Sequence, residues 1–196
     1  WNHPQFDSAL IFLLNSNLGG AIITNHTVHQ GNHMRSGLFE HICIDPYGPK
    51  CYCGRHGCLE TYCSANALKT AAGMPIKEFF HKLHTEPFPK IQQIWKDYLD
   101  HLAFAICNLS LVIDSPIIIS GYLAPYFQNE DMRYLIEKIN KQSPFQIEED
   151  QLLVPIPCHG KDEEKFMDTF VDIVKQQMSV LSSIIKKRSD EGKEPL

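Results

Sequence analysis

The sequence has no long hydrophobic run. Its longest apolar stretches, such as Ala9–Leu14, fall far short of the roughly 20 residues that a bilayer-spanning helix needs. No secretory leader opens the chain, so membrane and secretory readings fall away and a cytoplasmic protein is expected. Nor is there an excess of positive charge. Lys and Arg number 18 against 23 Asp and Glu, a formal charge of −5, which excludes reading the body of the chain as a nucleic-acid-coating surface. No internal repeat is found. What is present is globular in balance: 43% hydrophobic and 21% charged residues argue against disorder, and 196 residues suit one large domain or two small ones.

Cysteine is not scarce. Cys43, Cys51, Cys53, Cys58, Cys63, Cys107 and Cys158 make an odd number, and three of them crowd into residues 51–58. A disulfide scaffold would favour even pairing across a small secreted chain, whereas clustering of this kind suits a metal site in a reducing compartment. Cys107 and Cys158 stand apart in apolar or Pro-flanked surroundings and read as small buried hydrophobes.

Short apolar runs alternate with longer periodic ones, which predicts an α/β architecture with a mixed sheet and helices packed on it. Ser8–Leu14 and Ala21–Thr24 read as strands flanking a turn at Asn15–Gly20. His29–Gly37 reads as a loop, and His41–Asp45 as a third short strand. Leu59–Ala72 predicts a helix ended by Gly73 and Pro75, followed by a short helix from Ile76 to Leu83. Ile91, Trp95, Tyr98, Leu102, Ile106 and Leu109 recur at helical spacing, so Ile91–Val112 is one long amphipathic helix. Pro116–Ser120 reads as a buried strand, Met132–Asn140 as a helix and Leu152–Pro155 as an edge strand. Phe166, Phe170, Val174, Met178, Leu181 and Ile185 trace a last helix before a charged end at Lys186–Leu196, of which 187–196 form a frayed tail. Residues 1–7 are either a tag or a truncated start, since Trp1–Phe6 is similar to a streptavidin-binding affinity tag with one residue changed.

The most informative segment is His41–x9–Cys51–x–Cys53–x4–Cys58. Three thiolates and an imidazole complete a tetrahedral set for structural zinc, with no open position for catalysis. Gly54 and Gly57 let the backbone fold tightly between the last two cysteines. Two alternatives stand beside this: four unrelated residues, or a redox pair at Cys51 and Cys53. His56, inside the loop, could also replace His41.

The run CYCGRHGCLE at Cys51–Glu60, preceded by His41, resembles the signature of the ROK family, named for repressors, open reading frames and kinases. Asn15–Ala21 (NSNLGGA) stands where that family has a glycine-rich phosphate loop, and Pro116–Leu123 (PIIISGYL) is similar to its later strand and adenosine turn. The resemblance extends over about Phe6 to Gly121. It implies an actin-like, ribonuclease-H-like lobe over residues 8–186, with a zinc loop at 41–58. The family's first lobe, with its Asp-Gly-Thr segment and Asn-Asp pair, has no match, so the chain looks like the second, C-terminal lobe alone. Without the Asn-Asp pair, which in the family supplies the phosphorylation base, the chain by itself is expected to be catalytically inactive.

The resemblance also assigns roles. Glu60 matches a sugar-contacting carboxylate, which can accept two hydroxyls, although a first-turn helix Glu favoured by the helix dipole is the plainer reading. His41 would touch sugar as well as zinc. Three departures point away from kinases. Asn15 and Asn17 replace the glycines at the first and third positions of the phosphate loop, beside Gly19 and Gly20. Leu38 stands where kinases have Glu, with Glu40 displaced by two residues. Tyr122 crowds the adenosine turn. The sugar-responsive Mlc/NagC-like regulators fit better. The expectation is therefore the sugar-sensing lobe of a transcriptional regulator, binding a sugar or sugar phosphate, reaching DNA only through a missing N-terminal segment, and assembling as a homo-oligomer. The alternatives are a divergent sugar kinase using ATP and magnesium, or an assembly relic with a purely structural zinc loop. His29, His33, Arg35 and the Lys186–Arg188 run read as solvated.

Overall fold

The computed structural model describes residues 7–85 and 88–154. The expectations for residues 1–6, Cys158, the last helix and the charged tail lie outside the described residues.

Strand β1 (Ala9–Leu14) is the centre of a five-stranded mixed sheet. It pairs antiparallel with β2 (Leu18–Thr24) and parallel with β4 (Ile117–Ser120). The two-residue strands β3 (Thr27–Val28) and β5 (Leu152–Leu153) form the edges, in the order β3-β2-β1-β4-β5. All six β1 residues are buried. Leu10, Phe12 and Leu14 enter the main core, while Ala9, Ile11 and Leu13 enter a second cluster with Ala21, Ile23 and Ile118. Because successive side chains alternate faces, a strand buried on both sides needs the continuous apolar run seen in the sequence.

Four further helical segments build the main core around the 22-residue α4 (Pro89–Ser110). They are α1 (Glu60–Cys63), α2 (Ala65–Ala72), α3 (Ile76–Thr85) and α5 (Asn129–Gln142). Trp95, Tyr98, Leu102 and Ile106, the predicted stripe of α4, are buried against Phe79, Phe80 and Leu135. The Phe80 ring stacks on Tyr126 with centroids 4.3 Å apart. Cys107 is buried as expected, and so is Cys63.

Three boundaries differ from the sequence reading. The helix predicted from residue 59 to 72 is two, because Ser64 is extended (φ −78°, ψ 157°) and its side chain caps α2 by accepting from the Ala67 amide. The strand expected at 41–45 is instead a 3-10 turn at Phe39–His41 followed by a single bridge between Cys43 and Cys58. Gly19 and Gly20 are not in a turn. They lie inside β2, opposite Leu13 and Phe12. A Cβ on Gly20 would sit 2.2 Å from the Phe39 ring, so the glycine there serves close packing of the 3-10 turn on the sheet.

Candidate metal centre and ligand cleft

The metal-ligand candidates lie on a loop with little regular structure, yet its backbone is extensively hydrogen-bonded. Ile44 donates to the Gly57 carbonyl, Gly57 to Pro49, Cys51 to Arg55 and Leu59 to Ile42, all at 2.7–2.8 Å. Bridges at Cys43–Cys58 and Lys50–His56 bring its two limbs together. Gly57 has φ 68°, and a Cβ there would lie 1.4 Å from the Asp45 carbonyl oxygen, so neither the conformation nor the space admits a side chain. Tyr62 fastens this loop to the helices: its hydroxyl donates to Asp45 at 3.3 Å and its ring lies 4.3 Å from that of His101 on α4.

This scaffold brings together His41, Cys51, Cys53 and Cys58, whose ligand atoms all lie within 4.8 Å of one another. Metal–sulfur bonds of about 2.3 Å and metal–nitrogen bonds of about 2.0 Å in a tetrahedron put ligands roughly 3.5–3.8 Å apart. The Cys53 and Cys58 sulfurs are 3.7 Å apart, and Cys51 Sγ is 3.9 Å from His41 Nδ1. The four residues therefore fit one metal ion. Burial, helped by the Arg55 charge, lowers His41 to about 4, which keeps the imidazole neutral and able to ligate. Arg55 donates to the His41 carbonyl and lies 4.0 Å from Cys58 Sγ. His56, the alternative ligand, has its Nδ1 2.9 Å from the Gly48 carbonyl and is not in the cluster.

Two residues after Cys58, Glu60 opens α1 and is buried. Its Oε2 accepts from the Leu18 amide at 2.7 Å, tying the metal loop to the start of β2. Burial raises its carboxyl to about 7 despite this bond. Glu40 is still more enclosed, at 4% exposure, and burial, with Glu60 adding to it, raises its carboxyl to about 8. Its enclosure was not foreseen, and a lone Glu in the sequence carries no signal of it. Leu38, where the sequence comparison with kinases pointed, is only half-buried.

The carboxyl ends of the parallel strands β1 and β4 lie side by side, the usual ligand position of open α/β sheets. Here the Asn15 side chain crosses between them: its Oδ1 accepts from the Tyr122 amide at 2.9 Å. Asn17 Oδ1 accepts from Asn66 Nδ2 on α2 at 3.3 Å. The Ala65 and Asn66 amides, at the start of α2, donate to the Asn15 and Ser16 carbonyls at 2.9 and 3.2 Å. The turn is thus tied on both sides. Tyr122 is exposed, as are His29, His33 and Arg35.

Comparison with known proteins finds relatives of two kinds. The chain is 30% identical over 125 residues to an N-acetylmannosamine kinase of Vibrio cholerae, covering 61% of this chain and 42% of the relative. It is 38% identical over 79 residues to the DNA-binding transcriptional repressor Mlc of Escherichia coli, covering 38% of this chain and 19% of that one. It therefore spans less than half the length of these curated relatives. Among solved structures, a ROK hexokinase from Thermus thermophilus superposes with a TM-score of 0.68 at 21% identity, over 81% of this chain and 54% of that one, which shows the fold. Both kinases and a repressor are relatives, and a model of the ROK family matches residues 2–150. The chain belongs to the ROK family.

Proposed function

We propose that the chain is the C-terminal, sugar-sensing lobe of a ROK-type transcriptional regulator, shaped by a structural zinc ion held by His41, Cys51, Cys53 and Cys58. The observation that carries the regulator reading is the Asn15 bridge. In phosphate-binding loops, backbone amides and glycines approach the phosphate oxygens closely. Here the amide of Tyr122 is committed to Asn15 Oδ1, and Asn17 is paired with Asn66, so these groups are already engaged and are not offered to a phosphate. Zinc, when bound, supplies a closed-shell cross-link with no chemistry of its own. His41 and Glu60 stand at the two ends of that loop, where the loop's geometry governs the carboxylate that meets a sugar hydroxyl. Ligand binding would bias closure of this lobe on a preceding one, and that hinge would set the position of a DNA-reading segment.

The test is thermal stability and calorimetry on the full-length gene product with hexoses, amino sugars and ATP-magnesium. The expected result is a sugar-dependent rise in melting temperature, no nucleotide binding and no phosphorylated product. ATP-dependent phosphorylation would establish the kinase alternative that the Vibrio relative represents, and zinc content without response to any sugar would favour an assembly role.

A further inference from the structure

Cys43 is an exposed thiol on the metal loop, and it stands outside the set of four ligand candidates. Across an isolated antiparallel bridge it faces Cys58, a member of that set. The hydrogen bonds that frame the bridge run from Ile44 to the Gly57 carbonyl and from Leu59 to the Ile42 carbonyl, each 2.8 Å. Bonds placed on either side of a pair, and not within it, mark the non-hydrogen-bonded kind of antiparallel pair. Its Cα atoms stand about 4.5 Å apart, with both side chains on one face. A disulfide spans Cα separations of roughly 4.4–6.8 Å, so the backbone already holds these cysteines at cross-linking distance. The Cys43 thiol instead donates to the His56 carbonyl at 3.6 Å, while Cys58 Sγ lies 3.7 Å from Cys53 Sγ. Side-chain rotation is what separates this arrangement from a Cys43–Cys58 bond.

Access also divides the cysteines. Cys58 and Cys51 are 0% and 2% exposed, Cys53 is half-buried, and Cys63 and Cys107 lie in the main core. Thiol oxidation follows exposure, so an oxidant in solution meets Cys43 before any of these.

Resting on the zinc reading above, we propose that Cys43 is an oxidation site that reacts with hydrogen peroxide and then forms a disulfide with Cys58, withdrawing one of the four metal ligands. In the first step the Cys43 thiol takes one peroxide oxygen, giving a sulfenic acid and releasing water. In the second, the Cys58 thiolate attacks that sulfur: the S–S bond forms, the S–O bond breaks and hydroxide leaves. The two sulfurs together lose two electrons, and the peroxide O–O bond takes them up. His41, Cys51 and Cys53 remain, which is short of the four-ligand shell of structural zinc. Glu60, two residues beyond Cys58, accepts from the Leu18 amide, so the exchange acts on the limb that joins the metal loop to β2.

The experiment uses the full-length gene product, purified under reducing conditions with zinc, and treats it with hydrogen peroxide. Zinc release is followed with a chromophoric chelator and the cross-link by peptide mass mapping. The parent should release its zinc and yield Cys43 joined to Cys58, and a thiol reductant with added zinc should restore the metal. C43S and C43A should carry as much metal as the parent before treatment and release it at least about 10-fold more slowly. Equal release rates in the variants overturn the proposal, as does a parent that keeps its zinc in peroxide. So does a cross-link at another pair, Cys53–Cys58 or one using Cys158 included, or metal that reduction does not restore. Each of these leaves the zinc reading standing. Loss of metal from untreated C43S and C43A would make Cys43 a ligand and overturn the proposal by that route. A reduced parent without zinc overturns the zinc reading and this proposal together.

Discussion

At the scale of single residues, the metal cluster has the clearest consequences. Cys53 is a half-buried thiol 3.7 Å from Cys58 Sγ, and a serine there cannot supply a thiolate. C53S should release the metal and lower the melting temperature by about 10 °C or more, because structural zinc contributes on the order of 10 kcal/mol of folding free energy and each kcal/mol moves a protein of this size by about 2–4 °C. Metal analysis with a thermal melt checks it; unchanged metal content would remove the assignment. This candidate ligand set was legible in the sequence because thiols at such spacing have few other uses, and the structure brings its four residues together. Glu40 was not legible. A glutamate next to a histidine reads as surface, and only the packing of Phe39 on Gly20 shows that the turn faces inward. The asparagines were seen as obstructing a phosphate loop, but their partners, Tyr122 and Asn66, lie 107 and 49 residues away in the chain and could not be read from local pattern.

Elements were legible where burial is continuous or periodic. β1 announced itself as an unbroken apolar run, and α4 as a stripe at helical spacing; both were found within two or three residues of the expected ends. The junction of α1 and α2 was missed because helix-favouring residues run through it, and the break rests on one buried serine. Ser64 both caps α2 and donates its amide to the Glu60 carbonyl. S64A should cost about 1 kcal/mol through the lost cap, lowering the melting temperature by about 2–4 °C while metal content is retained. A melt unchanged within error would show that the cap is not what sets the junction. The strand expected at 41–45 failed for a related reason: its apolar, β-branched residues suit a strand, but metal-ligand spacing calls for a turn, and only one bridge survives.

For the whole molecule, the sheet order places β1 between an antiparallel and a parallel neighbour. With partners on both edges and apolar packing on both faces, it belongs to the last unit to open. Amide hydrogen exchange should therefore be slowest at 10–13, faster in the edge strands β3 and β5, and strongly accelerated in 42–58 when a chelator removes the ion. Uniform exchange across the sheet after chelation would mean that the loop and core unfold together. The mixed α/β class was readable from element order, since short strands precede and then alternate with helices; the sheet order itself was not, because it depends on long-range pairing of Leu10 with Ile117.

The metal loop lies on the surface, with Tyr47 almost fully exposed at its bend and Gly57 locked under Asp45. Without the ion, that segment would offer an extended stretch to any protease, with cleavage governed by how often it opens. The lifetime of the molecule would then follow the supply of that metal in its surroundings, so that the protein is retained or cleared according to metal availability.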